Sequence, residues 1–390
     1  MLRILTAYTR EIDDVDAAVS GILGQLDLEQ GLLKNSVGLL FNYLDFIDSG
    51  VVEALCGRLP FDVIGCTSQN FAVPEAAEEI MLSLTVLTSD KIVFSAGVSE
   101  PLDRDEEERI EALYRRLASG RDPSLIFLFV PTLKFSPVGD MARKVLDRAA
   151  PGIPQFGSGA LDVPNKIRTP MTIYNGGAYQ DRLALLLFFG EVNFKFFSIT
   201  FPGQKTIGLS ARITAAKGNR IISLDNRPAV EYLEKIGLYD KGNINMAYAF
   251  PVIVDFHDGS EPKTWNILNV NDDGSLNSFF DFEDGVPEGS TISLTTATGE
   301  LVLETASRLA EMIKKEPGSG GVFIFSCFSR SVIFLDSRAE INHMREELKD
   351  FTAPYLMMSA AGEYCPYYSG GGQMVNRSLV HSIIACIFKE

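Results

Sequence analysis

A short apolar run, a helical stretch, and a second apolar run stopping at a cluster of small residues recur three times along this chain. The first copy has Val37-Gly-Leu-Leu-Phe41, then a helix expected over residues 47–58 with Asp48 or Ser49 available as its cap. Phe61-Asp-Val-Ile64 follows and runs into Gly65-Cys66-Thr67-Ser68. The second copy has a strand over 125–130, a helix over 137–149, and Ile153-Pro-Gln-Phe156 running into Gly157-Ser158-Gly159-Ala160. The third has a strand over 322–326, a helix over 336–349 and a strand over 355–358, ending in Ser359-Ala360-Ala361-Gly362-Glu363. Continuous apolar strands alternating with helices argue for sheets covered on both faces, with some parallel pairing. The reading is a mixed α/β (α+β) fold: two packed α/β halves with mixed parallel and antiparallel sheets. Ligands of open α/β sheets bind at the carboxyl ends of strands, where small residues let a guest approach the backbone. The three small-residue turns are candidate site elements on that ground; a tight turn with no ligand is the equal alternative for each.

Between the second and third copies the texture changes. Met171 to Tyr179, with Asn175-Gly176-Gly177 at its centre, reads as a hairpin signal ahead of a strand over 183–189. Short strands follow over 194–201, 205–215 and 219–224, broken by Pro202-Gly203 and Lys217-Gly218-Asn219. A short helix is expected over 228–236, strands over 247–255, 265–270 and 291–295, and a helix over 300–315. The boundary falls near 215–235 with no low-complexity linker, giving packed domains 1–222 and 223–390. The acidic stretch 103–109 opens a helix reaching about residue 118, its carboxylates suiting the helix dipole.

Composition narrows the function. With 46% hydrophobic and 22% charged residues in 390, the chain has material for a sizeable core. Its 35 Lys+Arg against 51 Asp+Glu leave a net charge of −16, which repels nucleic-acid phosphates and anionic lipid. The longest unbroken apolar run, 183–189, is far short of the roughly 20 residues that span a bilayer. The N-terminus turns acidic before a signal peptide's apolar stretch could form. A soluble, cytoplasmic protein is expected. Five cysteines (Cys56, Cys66, Cys327, Cys365, Cys386), an odd count without CxxC, read as reduced thiols. The three histidines, His257, His343 and His381, are far apart, so no metal site is expected, and no cofactor.

Gly157-Ser-Gly159 supplies two of the three glycines of a dinucleotide fingerprint, but Pro164 stands where the helix should begin. There is no GxxxxGK[ST] and no GxSxG. Cys66 and Cys327 lie near strand ends, where a nucleophile could be placed, yet a buried thiol is more often inert and no base is nameable from the sequence. No catalytic residue is assigned.

The C-terminal third resembles a known family. Phe325-Ser-Cys327-Phe-Ser-Arg330, Glu340, Gly362-Glu363-Tyr-Cys-Pro366 and Asn376-Arg-Ser are similar to the C-terminal half of the FIST family. Asp62 to Ser68, Pro154 to Gly159 and Asn175 to Gly177 resemble its N-terminal half, and the stretch from Ile207 to Tyr232 resembles the segment joining the two halves, so the likeness spans about 30–388. Departures are Gln69-Asn70-Phe71 where the family often has Gly-Glu, Cys327-Phe-Ser-Arg330 for Cys-x-Gly-Arg, and Val375 where a His commonly precedes Asn376. The resemblance implies a non-catalytic sensory domain binding a small molecule, an amino acid or derivative. No kinase, HAMP or F-box motif accompanies it here, so its output partner is expected to be a separate signalling protein. The candidate ligand-binding set is Cys66, Thr67, Ser68, Gly157, Ser158, Gly159, Cys327, Arg330, Gly362, Glu363 and Asn376. Arg330 could take a ligand carboxylate, Glu363 an ammonium, and Asn376, beyond Gly370-Gly371-Gly372, either a donor or an acceptor. The alternatives are an Arg330–Glu363 ion pair with Asn376 tying down the loop, a Cys- or carboxylate-dependent enzyme acting on an amino-acid-like substrate in the same cleft, and a protein-interaction scaffold.

Overall fold

The three recurring units fold into three parallel strand pairs, each in a different sheet. Asn35–Asn42 pairs with Asp62–Thr67, Leu125–Val130 with Gln155–Gly159, and Ser319–Cys327 with Tyr355–Ala360. The computed structural model describes residues 2–132, 138–161, 169–200, 206–240, 252–257, 263–265, 267–278, 285–295, 297–334, 336–368 and 374–389. The architecture is mixed α/β, as the sequence leads one to expect, with four sheets among those residues. The fourth, built from hairpins within 206–295, is antiparallel in every described pairing and has its own core around Trp265.

The central strands are apolar on both faces because both are covered. In Leu125–Val130, Ile126 and Leu128 pack on the helices Glu106–Ala118 and Val138–Ala149, while Phe127 and Phe129 face the centre of the molecule. In Ser319–Cys327, Ile324 packs toward the helices Gly299–Lys314 and Ala339–Glu347, while Phe323 and Phe325 face that same centre. The inward rings meet across sheets. Phe325 lies 5.0 Å from Phe156 and 5.8 Å from Phe41, and Phe127 lies 5.8 Å from Phe323 (ring centroids). Each of these rings is buried, and such pairs add about 0.5–1.5 kcal/mol beyond their area.

The sheets also exchange strands. The hairpin Phe71–Val73/Ala76–Glu78, which follows the first unit, pairs with Tyr355–Ala360. The hairpin Glu363–Tyr368/Met374–Leu379, which follows the third, pairs with Gln155–Gly159. Phe194–Thr200 joins Ser382–Lys389 in the same way.

Several local readings shift. The helix expected over 47–58 is two short helices, Asp45–Asp48 and Val51–Cys56, because Gly50 turns left-handed (φ 84°), and neither Asp48 nor Ser49 caps by its side chain. The helix of the third unit is shorter than expected, Ala339–Glu347. Asn175 and Gly176 both have positive φ and close a two-residue hairpin between Thr172–Tyr174 and Gly177–Tyr179. Expectations resting on Pro137, Pro164, Pro202-Gly203, 247–250 and Gly370–Gly372 lie outside the described residues. The strand Leu2–Thr9 and the helix Val15–Leu26, which Asp14 caps by accepting from Ala17 N at 2.9 Å, stand where the sequence offered only charge arguments. Among the described residues no helix is long and apolar enough to cross a membrane.

Phe325→Ala should cost about 3–5 kcal/mol in urea unfolding, since it empties the point where three sheets meet. Tyr368→Ala, at a position 55% exposed, should stay within about 0.5 kcal/mol. Equal effects would mean the rings carry no special share of the stability.

Candidate functional site

The carboxyl ends of the three parallel pairs come together. Leu161 N donates to Thr67 O at 2.9 Å, Gly159 N to Gly362 O at 2.9 Å, Ala361 N to Gly159 O at 3.1 Å, and Ser359 N to Gln69 O at 3.0 Å. Ser68 Oγ donates to Ser359 O at 2.5 Å. Each tip is thus bonded to at least one other, although nearly 300 residues separate the first from the third.

Much of the small-residue sequence is strand rather than turn. Gly157-Ser158-Gly159 lies within Gln155–Gly159, Gly65-Cys66-Thr67 within Asp62–Thr67, and Ser359-Ala360 within Tyr355–Ala360. The glycines admit neighbouring backbone. A Cβ on Gly159 would stand 2.1 Å from Ala361 O, and one on Gly157 1.9 Å from Leu128 O. Gly362 makes the one left-handed turn of the third tip, at φ 95°.

Polar side chains line the inner side of this junction. Cys66 Sγ lies 3.7 Å from Ser158 Oγ, and Ser158 pairs directly with Glu363 across the strands. Glu363 Oε2 accepts from Ser382 Oγ at 2.6 Å. Its Oε1 is buried and meets no N–H or O–H donor among the described residues, leaving the Cys327 S–H, a weak donor, as the group hydrogen-bonded to the carboxyl beside Ser382. The Cys327 thiol neighbours this carboxyl and approaches Ser329 Oγ at 3.1 Å, which in turn meets His381 Nδ1 at 2.7 Å. At the first tip, Asn42 Oδ1, Gln69 Oε1 and Asn70 Oδ1 are likewise buried without a partner among the described residues.

Burial dominates the proton chemistry. It pushes the Glu363 carboxyl up to about 8, against the pull of Ser382, Cys327 and the Arg330 charge. The Cys66 and Cys327 thiols are each pushed up to about 12, Cys327 with help from Glu363. His381, left-handed at φ 52°, is brought down to about 3 by burial and then by Arg330. The centre therefore holds protonated thiols, a neutral imidazole and a carboxyl that keeps its proton near neutrality.

Arg330 is fully buried and points to the helix-covered side. Its Nε and Nη2 donate to Glu340 Oε1 at 2.9 and 2.6 Å, and Nη2 also to Thr305 Oγ1 at 2.9 Å and Val302 O at 3.1 Å. Ser326 Oγ donates to the other Glu340 oxygen at 2.8 Å. The direct partner of Arg330 is therefore Glu340, with Glu363 feeling its charge only through space. Asn376 stands elsewhere, opposite Pro366 and bonded to the start of Gln155–Gly159 rather than its tip. Its amide accepts from Gln155 N at 2.8 Å and donates to Asp147 Oδ1 at 2.8 Å and Ile153 O at 2.9 Å. Thr67 Oγ1 accepts from Met171 N at 2.9 Å. The structure thus brings Cys66, Thr67, Ser68, Gly157, Ser158, Gly159, Cys327, Gly362 and Glu363 to one junction, sets Arg330 behind it, and leaves Asn376 outside it. Sequence reasoning missed Ser329, His381 and Ser382 as members, because a hydroxyl or a lone histidine signals nothing until the strands pair.

Models of the FIST N domain and the FIST C domain match residues 36–227 and 228–366. The chain belongs to the FIST family. FIST domains are sensor modules of signal transduction, which gives this protein a sensory role in general terms. No curated protein matches it. Among solved structures, PurLQS from Thermotoga maritima aligns at 11% identity over 100% of this chain and 72% of its own, with a TM-score of 0.20, too low to support an argument about fold.

The raised carboxyl sets a pH dependence. A group that binds its proton more tightly when folded stabilises fully below its ordinary value near 4.5, and that contribution is lost as pH rises through about 8. Cys327, Ser382, Arg330 and Tyr364 face this carboxyl, and burial pushes the Cys327 thiol up to about 12 and the Tyr364 phenol up as well, both away from that window. The stability difference between Glu363→Gln and the unchanged chain should therefore move in favour of Gln between pH 5 and 8.5, by on the order of 1 kcal/mol per pH unit. A flat difference in urea unfolding across that range would show the carboxyl to be ionised throughout.

Proposed function

We propose that this chain is a non-catalytic sensor that binds a small molecule carrying an ammonium group, an amino acid or derivative, at the junction of the three strand tips. The observation that carries the reading is Glu363, a fully buried carboxyl at the point where the tips meet, held among the described residues by the Ser382 hydroxyl and the weak Cys327 S–H donor with no cation bonded to it. An ammonium would exchange the thiol's weak contact for a charge-assisted hydrogen bond, roughly twice as strong as a neutral one. Binding would also draw the proton off the carboxyl, replacing a neutral group by an ion pair. Both exchanged hairpins begin at these tips, so a guest that reseats Glu363 alters how the two parts clasp. A separate signalling protein would read that change.

The chain Cys327–Ser329–His381 favours a second reading, a thiol-dependent enzyme, since it links a thiol to an imidazole through one hydroxyl. Such chemistry needs a thiolate, and burial holds this thiol protonated beside a neutral imidazole. The sensor reading fits those protonation states better.

A thermal-shift screen of free amino acids and their amine-bearing derivatives tests the proposal. A compound at a hundred times its Kd adds about 2.7 kcal/mol, a shift of several degrees. The expected result is at least one such hit that disappears in Glu363→Gln. A hit unaffected by that substitution, or turnover of a hit that is lost in Cys327→Ser, would overturn it.

A further inference from the structure

The strand Leu2–Thr9 ends its sheet and pairs only with Leu82–Ser89. An antiparallel ladder turns the backbone groups of alternate residues to opposite sides. The Gln25 side chain marks which residues turn outward here. Its Oε1 accepts from Tyr8 N at 3.1 Å and its Nε2 donates to Tyr8 O at 2.9 Å, so Tyr8 spends both backbone groups away from the neighbouring strand. The far side of that neighbour has the matching pattern. Tyr43 N donates to Met81 O at 3.0 Å and Phe41 stands opposite Ser83, which turns the odd-numbered residues of Leu82–Ser89 toward Asn35–Asn42. Its even-numbered residues are left for the strand Leu2–Thr9, and they stand opposite Arg3, Leu5, Ala7 and Thr9. Ile4 and Thr6 share the parity of Tyr8 and therefore aim N–H and C=O at the open edge, where no group among the described residues bonds them.

A cleft of about 390 Å³ opens against this edge, lined by Thr6, Ala7, Tyr8, Gln25, Val73 and Glu75. Its far wall is the hairpin Phe71–Val73/Ala76–Glu78, with Glu75 in the turn. Arg345 holds that turn by donating from Nε to Pro74 O at 3.2 Å and from Nη2 to Glu75 O at 3.4 Å. Arg10, just past the strand, pairs with Glu78 at 3.1 Å, while the exposed Glu75 carboxylate has no ion pair among the described residues. Natural edge strands are blunted by Pro, bulges, several charges or a short length. This one is eight residues long, in unbroken register, without Pro, and has Arg3 as its one charge.

We propose that this edge is a docking surface for an extended, basic peptide segment of a partner protein, which adds to the sheet as a further strand. Ile4 and Thr6 exchange main-chain hydrogen bonds with the segment, Glu75 meets its Lys or Arg, and Val73 offers an apolar wall. A second copy of this chain suits the edge less. It would bring another charge of −16 against the first, and a symmetric pairing centred on Thr6 would displace Gln25 from Tyr8 in both copies. None of the lining residues belongs to the strand tips, so the inference does not rest on the sensor reading.

Random twelve-residue peptides displayed on phage and panned against the full chain supply the probes. Selected peptides are synthesised with blocked ends and titrated by fluorescence anisotropy. They are expected to alternate β-branched apolar residues with polar ones and to carry Lys or Arg. Thr6→Pro removes an N–H that the ladder does not use, so the urea midpoint should stay close to that of the unchanged chain while peptide affinity falls about tenfold or more. If that variant does not fold, N-methylation of the peptide decides: methyl groups on one alternate set of amides should abolish binding, and on the other set leave it intact. Glu75→Lys should weaken the basic peptides as well. Binding indifferent to N-methylation, or to both substitutions, would overturn the proposal, as would a library from which nothing binds. A concentration-dependent dimer in sedimentation that Thr6→Pro abolishes would assign the edge to a second copy instead.

Discussion

The structure depends on a seam of phenylalanine rings in which three sheets have one core. Phe41 belongs to the first sheet, Phe127, Phe129 and Phe156 to the second, and Phe323, Phe325 and Phe388 to the third. Edge-to-face contacts such as Phe41–Phe129, at 5.3 Å, alternate with near-parallel ones such as Phe156–Phe325. Because the rings sit on consecutive inward positions of paired strands, packing them fixes how each sheet is shifted against the others. That shift carries the strand ends to a common junction, where backbone bonds and glycines with no room for a Cβ complete the closure.

What the seam brings together is an unusual set of protonation states. A carboxyl, two thiols and an imidazole share a volume from which water is excluded, and each is driven toward its neutral form. The charge in the neighbourhood is kept on the far side of the strand, where Arg330 and Glu340 neutralise each other between two helices. Since the hairpins that interlock the sheets start at these residues, a charge placed at Glu363 acts on the same contacts that hold the two parts together.

Much of the fold was legible in the sequence, and for a physical reason. Apolar runs such as LIFLFV, bounded by helices and small residues, have few ways to be buried on both faces, so the three parallel units could be read directly. The partner of each tip could not. That Thr67 meets Leu161, or Gly159 meets Gly362, is decided by packing between residues distant along the chain, which leaves no local trace. For the same reason Arg330 could be recognised as a buried guanidinium in want of a carboxylate, while the choice of Glu340 over Glu363 followed from which face of the strand it occupies. Asn376 looked like a site residue because it resembles one by motif; its amide is instead spent at the other end of the strand. His381 was indistinguishable from a surface histidine until Ser329 was placed beside it.

The central claim is that the three tips form one cooperative unit held by the aromatic seam. Native-state amide hydrogen exchange tests it most directly. The amides of Ser359, Ala361, Gly159 and Leu161, each of which donates across tips, should exchange with a single opening free energy, and Phe325→Ala should lower it equally at all four. Different opening energies at the separate tips, or a loss confined to the tip nearest the substitution, would contradict the account.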